Sequence, residues 1–224
     1  MTQPALTQPP FSIVVPQGFY TVNGVLLPTG KYGSVEITTQ PLDGGRSRTP
    51  DGWADYRQLT GWGPGSGPLH MALFKGLYEH QEDEGVKKLK RLFAADLRNW
   101  MVTSTRVTYQ TEGLDIVTHD DGMPEEITLE ARLVGPSGYI NAGMSDALQA
   151  LLGEGNADKL SAIHNWVTDR TRTPRLARFS GRPRKNTEIV LALAFNFIID
   201  LGIFAAGTIY KPARGMRVVP YNPA

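Results

Sequence analysis

Twenty-two residues, Ile189–Tyr210, carry a single charge, Asp200. A run of this kind is a bilayer span, a buried core, or a set of short strands showing part of its surface. About 20 apolar residues cross a bilayer core, and flanking Lys and Arg would anchor such a span. Seven basic residues and no acid fill Arg170–Lys185, and Lys211 follows the run. Three features oppose a span. An Asp at mid-membrane costs roughly 2.5–3.5 kcal/mol, and Asp200 sits near the middle beside Asn196. Basic residues at both ends give no orientation. β-Branched and aromatic residues punctuated by Gly202 and Gly207 suit short strands with bends. Short strands are the expectation, with a membrane span at 189–210 as the alternative.

Composition narrows the classes. Hydrophobic content of 41% and charged content of 20% describe a globular chain. A net charge of +1 excludes a strongly basic nucleic-acid binder averaged over the whole length. There is no cysteine, which removes disulfides, thiolate metal sites and cysteine nucleophiles. Met1–Pro10 shows neither a basic n-region nor an apolar run, so no secretory signal is expected.

Along the chain, Phe11–Val15, Gly24–Leu27 and Tyr32–Thr38 read as strands of an N-terminal β-rich segment, 1–45, with Asn23-Gly24 as a hairpin signal and Pro28–Gly30 as a second turn. A short helix is expected over Trp53–Leu59 with Asp51 as its cap. Gly61–Pro68 lacks the Lys-Ser/Thr ending of a phosphate loop and reads as an irregular lead-in to a helix. Apolar spacing predicts two main amphipathic helices, 69–80 and 86–101. Thr103–Tyr109 and Leu114–Thr118 alternate like paired strands around Gln110–Gly113, and Ile127–Val134 alternates too. Shorter helices follow at Ser145–Gly153 and Asp158–Val167. No repeat or linker is visible, so one α+β domain over 1–224 is expected.

Chemistry-bearing clusters are sparse. His119-Asp120-Asp121 is the one histidine with adjacent carboxylates, and an acid–base or metal site there would need a further group supplied by the fold. A polar turn is the simpler assignment. No Gly-x-Ser-x-Gly or His-Glu-x-x-His occurs. The arginines of 170–185 suit either phosphate contact or bonding to loop carbonyls, and Phe179 is their only aromatic neighbour within that stretch.

Pro174–Gly181, the apolar run and the closing Ala213–Val219, with Gly215-Met-Arg217, together resemble the end of C-type lectin-like domains of the formylglycine-generating-enzyme type. The resemblance covers about the last fifty residues. It implies a C-type lectin-like fold with short antiparallel strands, two main helices and long irregular loops. The enzymes of that class use a cysteine pair, absent here; the calcium-dependent lectins carry Glu-Pro-Asn and Trp-Asn-Asp, also absent. The branch that remains is similar to the variable proteins of diversity-generating retroelements, whose C-terminal surface is rewritten by adenine-directed mutagenesis. Rewritten Asn codons cannot yield Lys, Glu, Gln, Met or Trp, and Ile189–Tyr210 contains none of them. A membrane helix would share that lack for the three polar types.

The resemblance therefore implies a non-enzymatic protein that binds a receptor or other macromolecular ligand on a host or target surface. Its variable region would be about 189–213, displayed on a virion or cell surface. Neither a cofactor, nor a metal, nor nucleic acid, nor membrane insertion is expected. The candidate ligand-binding residues are Phe195, Asn196, Phe197, Ile198, Ile199, Asp200, Ile203, Phe204 and Tyr210. Strand alternation implies that about half of them are buried. The remaining alternative is an enzyme using His119 with Asp120 or Asp121.

Overall fold

The computed structural model describes residues 9–15, 18–46, 48–97, 101–121, 126–194, 202–205 and 216–220. They form two sheets and five α-helices, an α+β arrangement. The smaller sheet has the order β1-β2-β3-β11: β1 Ser12–Val14, β2 Phe19–Leu26, β3 Tyr32–Thr38 and β11 Met216–Pro220, all antiparallel. The larger has the order β6-β5-β4-β9-β10-β8-β7. Its strands are β4 Met101–Tyr109, β5 Asp115–His119, β6 Ile127–Ala131, β7 Gly138–Tyr139, β8 Arg175–Arg178, β9 Thr187–Ala194 and β10 Gly202–Ala205. All its pairings are antiparallel except β8 with β10.

The apolar run is strand where it is described, and this corrects the membrane-helix alternative. β9 carries its first residues between β4 and β10, and no described helix is long and apolar enough to cross a membrane. The cause of the apolarity of β9 is burial on both faces. Ile189, Leu191 and Leu193 enter the main core, while Val190 packs with Val102 of β4 in a second, small cluster. A central strand covered on both sides reads as a continuous apolar stretch.

Asn23-Gly24 is not a hairpin turn. β2 runs straight through it, and the pairing with β3 shifts register between Val22 and Val25. Gly24 takes a positive φ of 72°, as an Asn-Gly turn would require, but uses it in a bulge. A Cβ at this position would meet the backbone of Pro9, Pro10 and Phe11 at 3.1 Å. Asn23 donates to Ser12 Oγ at 3.1 Å and accepts from Ser34 Oγ at 2.6 Å, so it cross-links three strands. The β2–β3 turn falls at Pro28–Gly30, where the Gly30 N–H donates to Leu27 O at 2.9 Å.

The helices follow their sequence signals, except that Met101, expected to end the second main helix, opens β4 instead. α1 is Pro50–Thr60, α2 Gly67–Glu79, α3 Glu84–Leu97, α4 Ser145–Leu152 and α5 Ala157–Thr168. Thr49, not Asp51, caps α1, accepting from Gly52 N at 3.0 Å. Ser66 caps α2 and Asn156 caps α5. Helix α2 is the hub. Leu69, Leu73 and Leu77 are fully buried, and it packs on β2, β4, β9, α4 and α5. One continuous core thereby joins both sheets, from Val22 and Ile37 to Leu191 and Ile203.

Candidate functional site

The glycine-rich lead-in to α2 ends in a tight polar junction. Ser66 Oγ donates to Asp121 Oδ2 at 2.7 Å and accepts from Leu69 N at 3.1 Å, while Ser66 N donates to Asp121 Oδ1 at 2.5 Å. The next amide, Gly67 N, donates to Thr105 Oγ1 at 2.9 Å. Thr105 Oγ1 lies 2.8 Å from His119 Nδ1, and His119 Nε2 lies 3.0 Å from Ala150 O. A carbonyl only accepts, so Nε2 carries the proton and Nδ1 accepts from the Thr105 hydroxyl. Both ring nitrogens are thus committed to structure. Burial lowers the His119 pKa to about 4, with the bond to Ala150 opposing the shift. A side chain on Gly67 would drive into Leu151 O, which explains a glycine at this junction.

The three polar neighbours of the sequence cluster therefore diverge. His119 ties β5 to α4 and Thr105. Asp120 holds Arg57 of α1 at 2.8 Å, and Asp121 holds the start of α2. Burial raises the Asp121 pKa, against the two bonds from Ser66. Both His119 nitrogens are taken by Thr105 and Ala150 and not by these carboxylates, and Gly122–Pro124, where the expected polar turn would close, lie outside the described residues. Among the described residues, no group of three or more His, Asp or Glu could hold a metal ion.

Among the described residues, a cleft of about 340 Å³ opens beside α2, with His119 in its lining. One wall is the β2–β3 turn, Leu26–Gly30; the floor is Pro68, Met71 and Ala72 of α2. Ile127 and Leu129 of β6 face them, and the end of α4 closes the far side. Polar groups gather at one rim: Lys75, Gln149 and Glu154. Glu154 sits 3.0 Å from Lys159 Nζ. Burial alone would raise the Glu154 pKa, but the Lys159 ammonium and the Asn156 amide outweigh it and hold it low. Leu26 and Leu129 remain substantially exposed.

Of the residues nominated from sequence, Phe195, Asn196, Phe197, Ile198, Ile199, Asp200 and Tyr210 lie outside the described residues. Ile203 is buried, 5% exposed, and lines a small apolar hollow beside His164, so it is a core residue. Phe204 lies in β10, in register with Ala177 and Ala192. The arginines of 170–185 include two that serve loop carbonyls. Arg178 donates to Pro136 O and Leu133 O at 3.2 Å, and Arg182 donates to Gln110 O, Gly113 O and the carboxylate of Asp115. The cleft was missed in the sequence because its lining comes from separated stretches of the chain, from Leu26 to Ile163. The exposed alternating residues of β6 were the one local signal.

No protein-family model matches this chain, and neither the curated proteins nor the solved structures compared with it gave a match.

Proposed function

We propose that this protein binds a small, mainly apolar ligand with one polar head, held in the cleft between the β2–β3 turn, α2, β6 and α4. The observation that carries this is the cleft itself. Ligand sites are typically about 300–1,000 Å³, apolar-walled, with a few polar groups that fix orientation; this one has apolar walls and a single charged rim. The role is binding without chemistry, since His119, which lines the cleft, has both nitrogens bonded inward. Ala72→Phe would fill the floor. We expect saturable binding of the apolar fluorophore anilinonaphthalene sulfonate to the native protein, weakened at least about tenfold by Ala72→Phe, in keeping with the overpacking of a close-fitting site. Equal binding by a variant with an unchanged unfolding midpoint would sink the assignment.

A second reading is the diversified ligand-binding surface of a C-type lectin-like retroelement variable protein. It is supported by the anchoring of β10 and β11 in two different sheets, so the positions between them start and finish on paired strands. On that reading the partner is a macromolecule met at a virion or cell surface. The gene neighbourhood tests it: a near-repeat of the codons for about 185–218 beside a reverse transcriptase is expected, and its absence would end the idea.

A further inference from the structure

A second hollow lies on the opposite face of the large sheet, beneath α1. Its walls include Trp53 and Arg57 of α1, Arg48 just before it, and Ser104 and Arg106 of β4. Two polar atoms there are buried without any partner: Trp53 Nε1 and Ser104 Oγ. Trp53 is only 4% exposed. A buried donor without an acceptor is unfavourable and rare in folded proteins. Here two occur on the walls of one small space.

The backbone is shaped to place Ser104. The β4–β9 register shifts between Val102 and Arg106, and in that irregular stretch Ser104 N leaves the ladder to donate to Gly65 O at 3.0 Å. Thr103 Oγ1 donates to Leu191 O at 2.8 Å, which fills the interrupted pairing. Such irregularities re-aim side chains. Ser104 is on the face that α1 covers, with Val102 and Arg106 at alternate positions.

Three arginines, Arg48, Arg57 and Arg106, and one carboxylate, Asp120, line the hollow. Arg48 is fixed by Asp43, with Nε at 2.9 Å and Nη2 at 2.6 Å, and lies over the Tyr56 ring at 4.8 Å. Arg57 is fixed by Asp120 and by carbonyls of Pro64 and Asp120. Arg106 is held loosely by comparison. It reaches Asp51 at 3.3 Å and Glu188 at 3.9 Å, and these side chains are 88% and 51% exposed. Well-hydrated pairs of this geometry are weak, so a ligand oxyanion can replace them. The enclosed room, about 20 Å³, holds one water-sized atom. That is space for one oxygen, with the remainder of the group in the mouth.

We propose that this hollow is an oxyanion site, which takes one oxygen of a phosphate or carboxylate group against Trp53 Nε1, Ser104 Oγ and the Arg106 guanidinium. It is separate from the apolar cleft and does not depend on that assignment. The indole N–H can only donate, so an acceptor is what it lacks. A guanidinium offers the paired donors that oxyanions match.

The indole ¹H–¹⁵N resonance of Trp53, identified by its loss in Trp53→Phe, reports the site directly. Inorganic phosphate and acetate are titrated separately into the full chain at constant ionic strength. A saturable shift of that resonance with either anion is expected, and which anion saturates first identifies the source of the oxygen. Arg106→Gln and Ser104→Ala, each retaining a dispersed spectrum, should each weaken it about tenfold, as loss of a charge-assisted or buried hydrogen bond does. No saturable shift with either anion, meaning that water alone fills the hollow, would overturn the proposal. So would a shift of equal affinity in both variants.

Discussion

Acidification from pH 6.5 to about 4 is expected to remove most of the protein's stability. His70, His119 and His164 each have a pKa lowered from 6.5 to about 4, with burial the largest cause in every case. His70 Nε2 and both nitrogens of His164 are buried without a partner, and His119 is bonded as a neutral ring. The fold thus holds three neutral imidazoles, whereas the unfolded chain takes up a proton on each near 6.5. Their contribution is complete above 6.5, shrinks as the pH falls and is gone below about 4, where the folded forms protonate as well. A shift of this size is worth roughly 3 kcal/mol per group. Three such groups approach the whole stability of an ordinary domain, about 5–15 kcal/mol. Asp121 works the other way, because its raised pKa lets the fold gain a proton first. Urea unfolding midpoints measured from pH 7.5 to 4.5 should fall steadily. A flat profile would refute the account. His164→Leu, placed in an apolar hollow, should flatten part of the slope while leaving the midpoint at pH 7.5 equal or higher.

Arg182→Met is expected to destabilise the protein by roughly 3 kcal/mol, the lower end of the range for removing one partner of a buried ion pair. Asp115 is fully buried and Arg182 is partly exposed, which places the effect at that end. The Asp115 carboxylate accepts from Gln110 N at 3.1 Å, Leu133 N at 2.9 Å and Val134 N at 3.3 Å, as well as from Arg182. It therefore clasps the β4–β5 turn, the stretch after β6 and the approach to β9. Without Arg182 that charge keeps its amides but loses its counter-ion. Asp115→Asn combined with Arg182→Met should recover part of the loss, because no charge is left buried. Chemical denaturation of the single and the double variant measures both effects; Arg182→Met as stable as the parent would dispose of the clasp.

Local structure was legible wherever local chemistry decides it. Pro68 near the helix start, Gly153 after the α4 pattern and the alternation of Thr103–Tyr109 each led to the element observed. Asn23-Gly24 shows the limit. Its positive-φ requirement was readable, but whether that φ makes a turn or a bulge depends on β3 and on Pro9 and Pro10 crossing nearby. The apolar run was readable as strand, and its cause was not, because covering β9 on two faces takes α2 and α1 from distant sequence. His119-Asp120-Asp121 looked like one cluster because residues adjacent in sequence are adjacent in text. In space, strand alternation and the end of β5 send them to three partners. The paired buried donors of Trp53 and Ser104 carry no sequence signature at all.

The pairing of β3 with β11 has a consequence for how the molecule is made. The β1–β3 meander precedes every other strand along the chain, yet one edge of it is completed by residues 216–220, which follow all the other described strands. Until then β3 presents a row of unpaired N–H and C=O groups, a template for any passing strand. Closing it requires a long-range contact whose entropy is lost before the contact forms. The nascent chain therefore carries an open seam until β11 has been made, and a chaperone that shields sheet edges would have its natural substrate there.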